Sequence, residues 1–145
     1  MNFMEQALLE AQKAFDQDEV PVGAVIVQNG KIIARAHNIN ISSTDPTAHA
    51  EIVALRKAAK INLTSRLDDC DLYVTLEPCS MCASAISLAR IRRVYYAASD
   101  IKFGAVENGA RIFNSSSCHH KPDVYSGMFE EEGKSILQKF FRSKR

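Results

Sequence analysis

The sequence lacks both a strong net charge and any long apolar run. Its 18 basic and 17 acidic side chains leave a formal net charge of +1 over 145 residues, so bulk charge favours no nucleic acid, membrane or acidic partner. No stretch approaches the roughly 18 apolar residues of a membrane span. Any nucleic-acid contact must therefore come from a local cluster of charges.

We also expect no targeting segment, internal repeat or linker. The first fifteen residues carry Glu5 and Glu10 within an apolar pattern of helical period, which is unlike the basic start and continuous apolar stretch of a signal peptide. The apolar content of 46% is enough for one core. We expect a single globular domain over residues 1–145, located in the cytoplasm.

Cysteine is scarce, with Cys70, Cys79, Cys82 and Cys118 the four present. In an oxidising compartment they could form two disulfides. The single C-x-x-C spacing in a chain expected in the cytoplasm instead favours metal or redox chemistry.

The N-terminal third predicts a helix followed by a β-hairpin. Apolar residues recur at steps of three and four over residues 3–15, with Asn2 as a cap. An apolar, β-branched run over residues 22–27 and a second run over residues 31–36 flank Asn29-Gly30, the strongest two-residue hairpin signal.

The middle of the chain predicts alternating helices and strands. After a polar loop over residues 38–45, Asp45 as cap and Pro46 in the first turn predict a helix to about residue 60, with His49 near its start. A strand over 72–76, a helix from Pro78 to about residue 89 and a strand over 94–98 follow. This succession implies parallel strands joined by right-handed crossovers.

The last third is irregular before it closes with a helix. Residues 99–123 show no clear period, apart from a helical signal at 110–113, and we predict that they form an active-site rim. A weak fifth strand over 124–128 and an amphipathic helix over 130–142 complete the chain.

Two short segments carry metal-binding residue types. His49 and Glu51 form H-x-E, and Pro78, Cys79 and Cys82 form P-C-x-x-C. One imidazole and two thiolates hold Zn²⁺ at three corners of a tetrahedron and leave the fourth for water, as in catalytic zinc sites. Because the cysteines lie three apart at a predicted helix start, they share a face, and the helix dipole favours their thiolate forms.

Glu51 is predicted to be the proton carrier. A spacing of two residues from His49 does not place both side chains on one helical face, so Glu51 should not join His49 as a ligand. It can take a proton from a zinc-activated water and deliver it to a substrate nitrogen and a leaving amine. H-x-E with P-C-x-x-C is the signature of zinc nucleobase deaminases, so we expect hydrolytic deamination.

Two blander interpretations of the same cysteines exist. In the first, the zinc is structural and takes a fourth protein ligand, for which the chain offers Cys118, His119 and His120. A redox C-x-x-C of the thioredoxin kind would leave His49 and Glu51 without a role.

The sequence resembles the cytidine deaminase superfamily and, within it, the bacterial tRNA-specific adenosine deaminases. The resemblance rests on residues 19–24, the loop at Asn38, residues 45–51, residues 76–83 and Phe140-Phe141-Arg142. It implies a three-layer α/β/α sandwich with a central five-stranded mixed sheet, a homodimer, one zinc per chain, and conversion of the wobble adenosine in a tRNA anticodon loop to inosine.

The resemblance also implies roles for individual residues. Zinc ligands carry over to His49, Cys79 and Cys82, and the proton shuttle to Glu51. Substrate contacts carry over to Asn38, Val22, the Ala50 backbone, Asp100, Lys102, Phe141 and Arg142. Asn38 could instead close a turn, and Val22 is equally suited to a strand core.

The rim departs from the resemblance, because Phe103 and Glu107-Asn108-Gly109 follow Lys102 where small residues and Gly-Ser-Leu are common. Cys118-His119-His120 could line the substrate channel or be packed structure.

The C-terminal segment is the local candidate for RNA binding. Beyond Glu132 the chain has no acidic residue, and its two phenylalanines lie among cations at Lys134, Lys139, Arg142, Lys144 and Arg145. Cations bind phosphates and aromatic rings stack on unpaired bases. A helix whose phenylalanines face inward and whose charges are solvated would have the same sequence pattern.

There are two alternatives to the tRNA adenosine deaminase function. One is a deaminase of a free base or nucleotide, such as guanine or cytosine, and the other is a non-catalytic zinc-stabilised RNA-binding module.

Overall fold

A five-stranded mixed sheet forms the centre of the protein, whose computed structural model describes residues 2–144. The strand order is β2-β1-β3-β4-β5; β1 is antiparallel to both neighbours, and β3, β4 and β5 are mutually parallel. The strands are β1 Gly23–Gln28, β2 Lys31–His37, β3 Cys70–Leu76, β4 Arg93–Ala98 and β5 Asp123–Ser126. The predicted sheet is confirmed.

Four helices cover the two faces of the sheet. They are α1 Phe3–Asp16, α2 Ala50–Asn62, α3 Ser80–Ala89 and α4 Glu130–Ser143, with a 3₁₀ turn over Ile112–Asn114. Helices α2 and α3 pack against one face, while α1 and α4 pack against the other. The predicted three-layer α/β/α sandwich is confirmed. Met1, in the predicted first helix, and Arg145, in the basic segment, lie outside the described residues.

The local signals at the N-terminus are also confirmed. Asn2 Oδ1 accepts hydrogen bonds from the Met4 and Glu5 N–H groups, which is the expected cap of α1. Asn29 and Gly30 both have positive φ, as the two-residue hairpin turn between β1 and β2 requires. Among residues 2–144, no helix has the length and apolar content needed to cross a bilayer.

The predicted start of α2 at Asp45 and Pro46 is wrong. Asp45 Oδ1 accepts hydrogen bonds from the N–H and the hydroxyl of Thr47, at 2.9 and 2.7 Å, so it closes a turn ahead of the helix. His49 is the N-cap of α2, with extended backbone, and the first helical N–H belongs to Ala50. That N–H donates to Asn38 Oδ1 at 2.7 Å, so a long-range partner decides where the helix begins.

Helix α3 also begins later than predicted, at Ser80 with Cys79 as its N-cap. The carbonyl of Pro78 accepts a hydrogen bond from the Ala105 N–H at 2.9 Å and is therefore paired with the rim. As a result, α2 and α3 each begin at a residue of the H-x-E or P-C-x-x-C segment.

Candidate active site

Three potential metal ligands meet between the N-termini of α2 and α3. His49 Nδ1 lies 3.6 Å from Cys79 Sγ and 3.5 Å from Cys82 Sγ, and all three atoms lie within 4.8 Å of one another. Bond lengths of about 2.3 Å for zinc–sulfur and about 2.05 Å for zinc–nitrogen place nitrogen and sulfur ligands about 3.6 Å apart in a tetrahedron. The donor set therefore fits zinc in both chemistry and spacing.

The two helix starts leave these side chains available. His49 and Cys79 occupy the N-cap positions of α2 and α3, yet neither side chain makes a capping hydrogen bond. Cys82 lies in the first turn of α3 and is buried. Both helix N-termini carry partial positive charge toward this point, which stabilises anionic ligands.

Hydrogen bonding prepares the ligands electrostatically. A hydrogen bond from Cys82, followed by one from His49, lowers the pKa of Cys79 to about 4 against the opposing effect of burial. The same bond to Cys79, together with burial, raises the pKa of Cys82, and hydrogen bonding to Cys79 raises that of His49. The cluster therefore holds protons that a metal ion must displace when it binds.

Glu51 is buried beside the three donors. Desolvation is the largest influence on its carboxyl and raises its pKa to about 7, with the negative charge at Cys79 acting in the same direction. A carboxyl that titrates near neutral pH can accept a proton and return it within one reaction cycle.

Three predicted base contacts lie together at the start of α2. Asn38 is buried and accepts the Ala50 N–H, so the two groups expected to meet a base bind each other here. A base that takes the Ala50 donor would replace this bond. Val22 is buried in the core shared by the sheet, α2 and α3, and its carbonyl accepts the Asn38 N–H at 3.2 Å.

Glu77, which the sequence motifs did not identify, holds the rim next to α3 through hydrogen bonds. Its buried carboxylate accepts N–H bonds from Asp100, Val106, Glu107 and Asn108 and a side-chain bond from Asn108, at 2.7–3.1 Å. Burial opposes ionisation, but these bonds outweigh it and lower the pKa of Glu77. Its one sequence signal was a charged residue directly after an apolar strand.

Glu19 plays the corresponding part for the loop before α2. It is fully buried and accepts N–H bonds from Ile41 at 3.1 Å and Ser42 at 2.7 Å. Burial opposes the ionised form of Glu19, yet these bonds lower its pKa.

The predicted substrate residues Asp100 and Lys102 lie in the rim that Glu77 holds. Asp100 Oδ1 accepts the Lys102 N–H at 3.2 Å.

One phenylalanine of α4 packs inward, and the other is available for RNA binding. Phe140 is buried and packs edge-on against Phe15 with 6.0 Å between ring centroids, whereas Phe141 is 49% exposed. Phe141 lines a cavity of about 520 Å³ together with Leu76, Ala98, Ser99, Lys134, Leu137, Gln138 and Arg142. This cavity adjoins the rim because Asp100 directly follows Ser99.

In the Cys118-His119-His120 segment, Cys118 and His120 pack against α3 away from the three donors, whereas His119 is exposed. Ser87, near the C-terminal end of α3, lies 3.4 Å from Cys118 Sγ and accepts the His120 N–H at 2.9 Å through its hydroxyl oxygen. Seven residues of helix between Cys79 and Ser87 separate these groups by about 10–12 Å. No disulfide forms among the four cysteines.

Known proteins resemble this chain over most of its length. The family model for the cytidine and deoxycytidylate deaminase zinc-binding region matches residues 1–98. A tRNA-specific adenosine deaminase from Agrobacterium fabrum is 57% identical over 144 residues, covering 99% of this chain and 95% of that protein.

Solved structures agree with this similarity. One from a study of A-to-I editing by tRNA:A34 deaminases at the wobble position is 57% identical, with a TM-score of 0.92 over 93% of this chain and 98% of its own. A guanine deaminase from Bacillus subtilis is 34% identical, with a TM-score of 0.67 over 98% of this chain and 95% of its own.

Proposed function

The chain belongs to the cytidine and deoxycytidylate deaminase family, and from that premise we propose that it converts the wobble adenosine of a tRNA anticodon loop to inosine. The observation that carries the proposal is 57% identity with a tRNA-specific adenosine deaminase across nearly the whole of both chains. The reaction consumes water and releases the amine of adenine as ammonia.

His49, Cys79 and Cys82 are the proposed ligands of one zinc ion per chain. Support comes from the ligand spacing of 3.5–3.6 Å and from the low pKa of Cys79. When bound, zinc supplies a Lewis acid that lowers the pKa of water toward neutrality.

Glu51 is the proposed carrier of protons. Its carboxylate accepts a proton from the attacking water and delivers it to N1 of the adenine. It then takes the remaining proton of the new hydroxyl group on C6 and delivers it to the N6 amine, which leaves as ammonia while the C6 carbonyl forms. The burial of Glu51 beside the three proposed ligands, which raises the pKa of its carboxyl, supports this role.

Asn38, Ala50 and Val22 are the proposed base pocket. The Asn38 amide and the Ala50 N–H offer hydrogen-bonding groups at the start of α2, and Val22 offers an apolar wall beside them. An extruded base replaces its former pairing and stacking with such contacts.

The RNA strand is proposed to run from the α4 cavity across the rim. Lys134 and Arg142 offer cations there, Phe141 offers an exposed ring, and Asp100 and Lys102 continue the path. Lys144 is not included, because its ammonium pairs with Asp18 of the α1 end and lies 5.3 Å from the Phe140 ring centroid.

A homodimer through the outer face of α3 belongs to the same proposal. Helix α3 contains no charged residue, yet Leu88 is 64% exposed and Met81 is also exposed. An apolar face of this kind is stabilised by burial against a second copy.

A cytoplasmic location is also proposed for this single-domain chain. It fits the free cysteines and the proposed tRNA substrate.

Guanine deamination is the second candidate, favoured by the 34% identity with a guanine deaminase. The zinc-loaded protein should be given a synthetic anticodon stem-loop with adenosine at the wobble position, free adenosine and free guanine. Inosine in the stem-loop alone is the expected result. Turnover of guanine without inosine in the RNA would reverse the assignment, and no turnover of any substrate would favour a binding module.

A further inference from the structure

Two apolar side chains project from the rim beside the site. Ile101 is 84% exposed and Phe103 is 72% exposed, with Lys102 between them. The next residue, Gly104, pairs its backbone with Cys79, a proposed zinc ligand. Phe103 therefore lies one residue from the backbone that pairs with this proposed ligand.

The backbone that presents Phe103 is fixed. Asp100 Oδ1 accepts the Phe103 N–H at 3.0 Å, and the Asp100 carbonyl accepts the Gly104 N–H at 2.9 Å. The buried Glu77 carboxylate in turn accepts the Asp100 N–H at 3.0 Å. A Cβ at position 104 would lie 2.3 Å from the Asp100 carbonyl oxygen, so the turn requires glycine. A backbone held this way presents the ring from a fixed position, so that only the side chain has to be ordered when a partner binds.

We propose that Phe103 is a specificity-determining residue whose ring stacks on the unpaired base next to the extruded adenosine. The proposal rests on the tRNA function proposed above. Extruding one base removes a stacking partner from its neighbours, and an exposed aromatic ring replaces such a partner. Lys102, exposed beside Phe103, is placed to contact the accompanying phosphate.

The test is a double-mutant cycle between protein and RNA. Phe103→Ala, Phe103→Trp and the matched control Ile101→Ala are assayed on intact stem-loops and on stem-loops with an abasic site immediately 5′ or 3′ of the target. We expect Phe103→Ala to raise KM on intact RNA about 5- to 150-fold with little change in kcat. Phe103→Trp should restore KM to within about threefold, and Ile101→Ala should change it by less than about threefold.

The abasic substrates decide the assignment. At one flanking position, removal of the base should abolish the KM difference between wild type and Phe103→Ala, because both changes remove the same stacking interaction. An unchanged KM for Phe103→Ala, or an equal rise in KM on intact and on both abasic substrates, would overturn the proposal while leaving the tRNA function intact. A wild type that forms no inosine in any stem-loop would overturn both. Zinc content and thermal melting verify that each variant is folded.

Discussion

Three buried glutamates show how surroundings give one residue type different tasks. Desolvation acts on Glu19, Glu51 and Glu77 alike and opposes the ionised form. Glu19 and Glu77 accept several N–H bonds, which outweigh burial and lower their pKa values. Glu51 lacks that set of donors among the described residues, and its pKa rises to about 7. The first two residues hold loops, and the third is suited to proton transfer.

Replacing Glu51 by Gln should abolish deamination while leaving the metal centre intact. The amide keeps the size of the side chain but carries no proton between water and base, so turnover should fall about 10²- to 10⁴-fold. Inosine formation, zinc content and melting temperature are measured beside Glu131→Gln, an exposed control on α4. Near-normal turnover in Glu51→Gln would refute the proposed role.

The two partly buried cysteines provide a matched pair for the metal centre. Cys79→Ser should reduce zinc affinity at least about 100-fold, because loss of a ligand costs more than loss of an outer-shell partner. Cys118→Ser should keep wild-type zinc, since Cys118 contacts Ser87 at the other end of α3. Metal analysis after dialysis against a graded chelator compares them. Full zinc occupancy in Cys79→Ser would remove Cys79 from the ligand set.

At the scale of elements, the site depends on two loops that buried carboxylates attach to the fold. Glu19 holds residues 41–42 ahead of α2, and Glu77 holds the rim beside α3. Because His49 and Cys79 are the N-cap residues of α2 and α3, movement of either loop would move a proposed ligand. The carboxylates therefore act on the site through backbone position.

Glu19→Gln should make the protein less stable at neutral pH, with the difference from wild type shrinking in acid. The amide cannot accept both N–H bonds as a carboxylate does, which should cost about 1–3 kcal/mol. Since folding lowers the pKa of Glu19, its stabilisation is complete above the unfolded value of about 4.3 and is lost as the pH falls through the folded pKa.

Urea unfolding from pH 7 to pH 3 measures this effect. The free energy of unfolding of wild type should approach that of Glu19→Gln below about pH 4. Glu131→Gln, which removes an exposed carboxylate, should follow wild type across the range within about 0.5 kcal/mol. A gap for Glu19→Gln that stays constant down to pH 3 would contradict the pKa assignment.

At the scale of the whole molecule, two surfaces outside the candidate metal site support the proposals for substrate binding and for assembly. The α4 cavity combines cations with the exposed ring of Phe141, whereas the outer face of α3 has apolar side chains without charge. The first suits RNA and the second suits another copy of the chain.

Leu88→Glu should separate the proposed dimer. A carboxylate buried in an apolar interface loses hydration without a partner, so sedimentation equilibrium should shift from twice the chain mass to the chain mass. Leu9→Glu, at a similarly exposed leucine of α1, should leave the mass unchanged. A single-chain mass for wild type, or a dimer that survives Leu88→Glu, would reject this interface.

Neutralising the α4 cavity should change how salt affects tRNA binding. Lys134→Gln and Arg142→Gln each remove a cation that is proposed to bind a phosphate, so each should flatten the plot of log affinity against log salt by about 0.7 for single-stranded RNA. Lys144→Gln should leave the slope unchanged, because Asp18 already pairs with that ammonium. Equal slopes in all three variants would show that the cavity binds no phosphate.

The sequence by itself determined the order and kinds of the elements and the candidate ligand set. Hydrophobic period reports which positions face a core, so it found every strand and helix with ends shifted by a few residues. Cys79 and Cys82 were identified because their spacing is local and chemically restrictive, and His49 was identified because H-x-E completes the deaminase signature. The family followed from the same residues and those around them.

Only the tertiary structure decided where long-range partners compete with local signals. Asn38 caps Ala50 from another element, so α2 begins after Asp45. Phe140 meets Phe15 and becomes core, while its neighbour Phe141 stays half exposed. Glu19 and Glu77 bind loops 22 to 31 residues away. Hydrophobic periodicity does not predict such contacts, because it shows which face of one element is apolar and not which distant groups pack against that face.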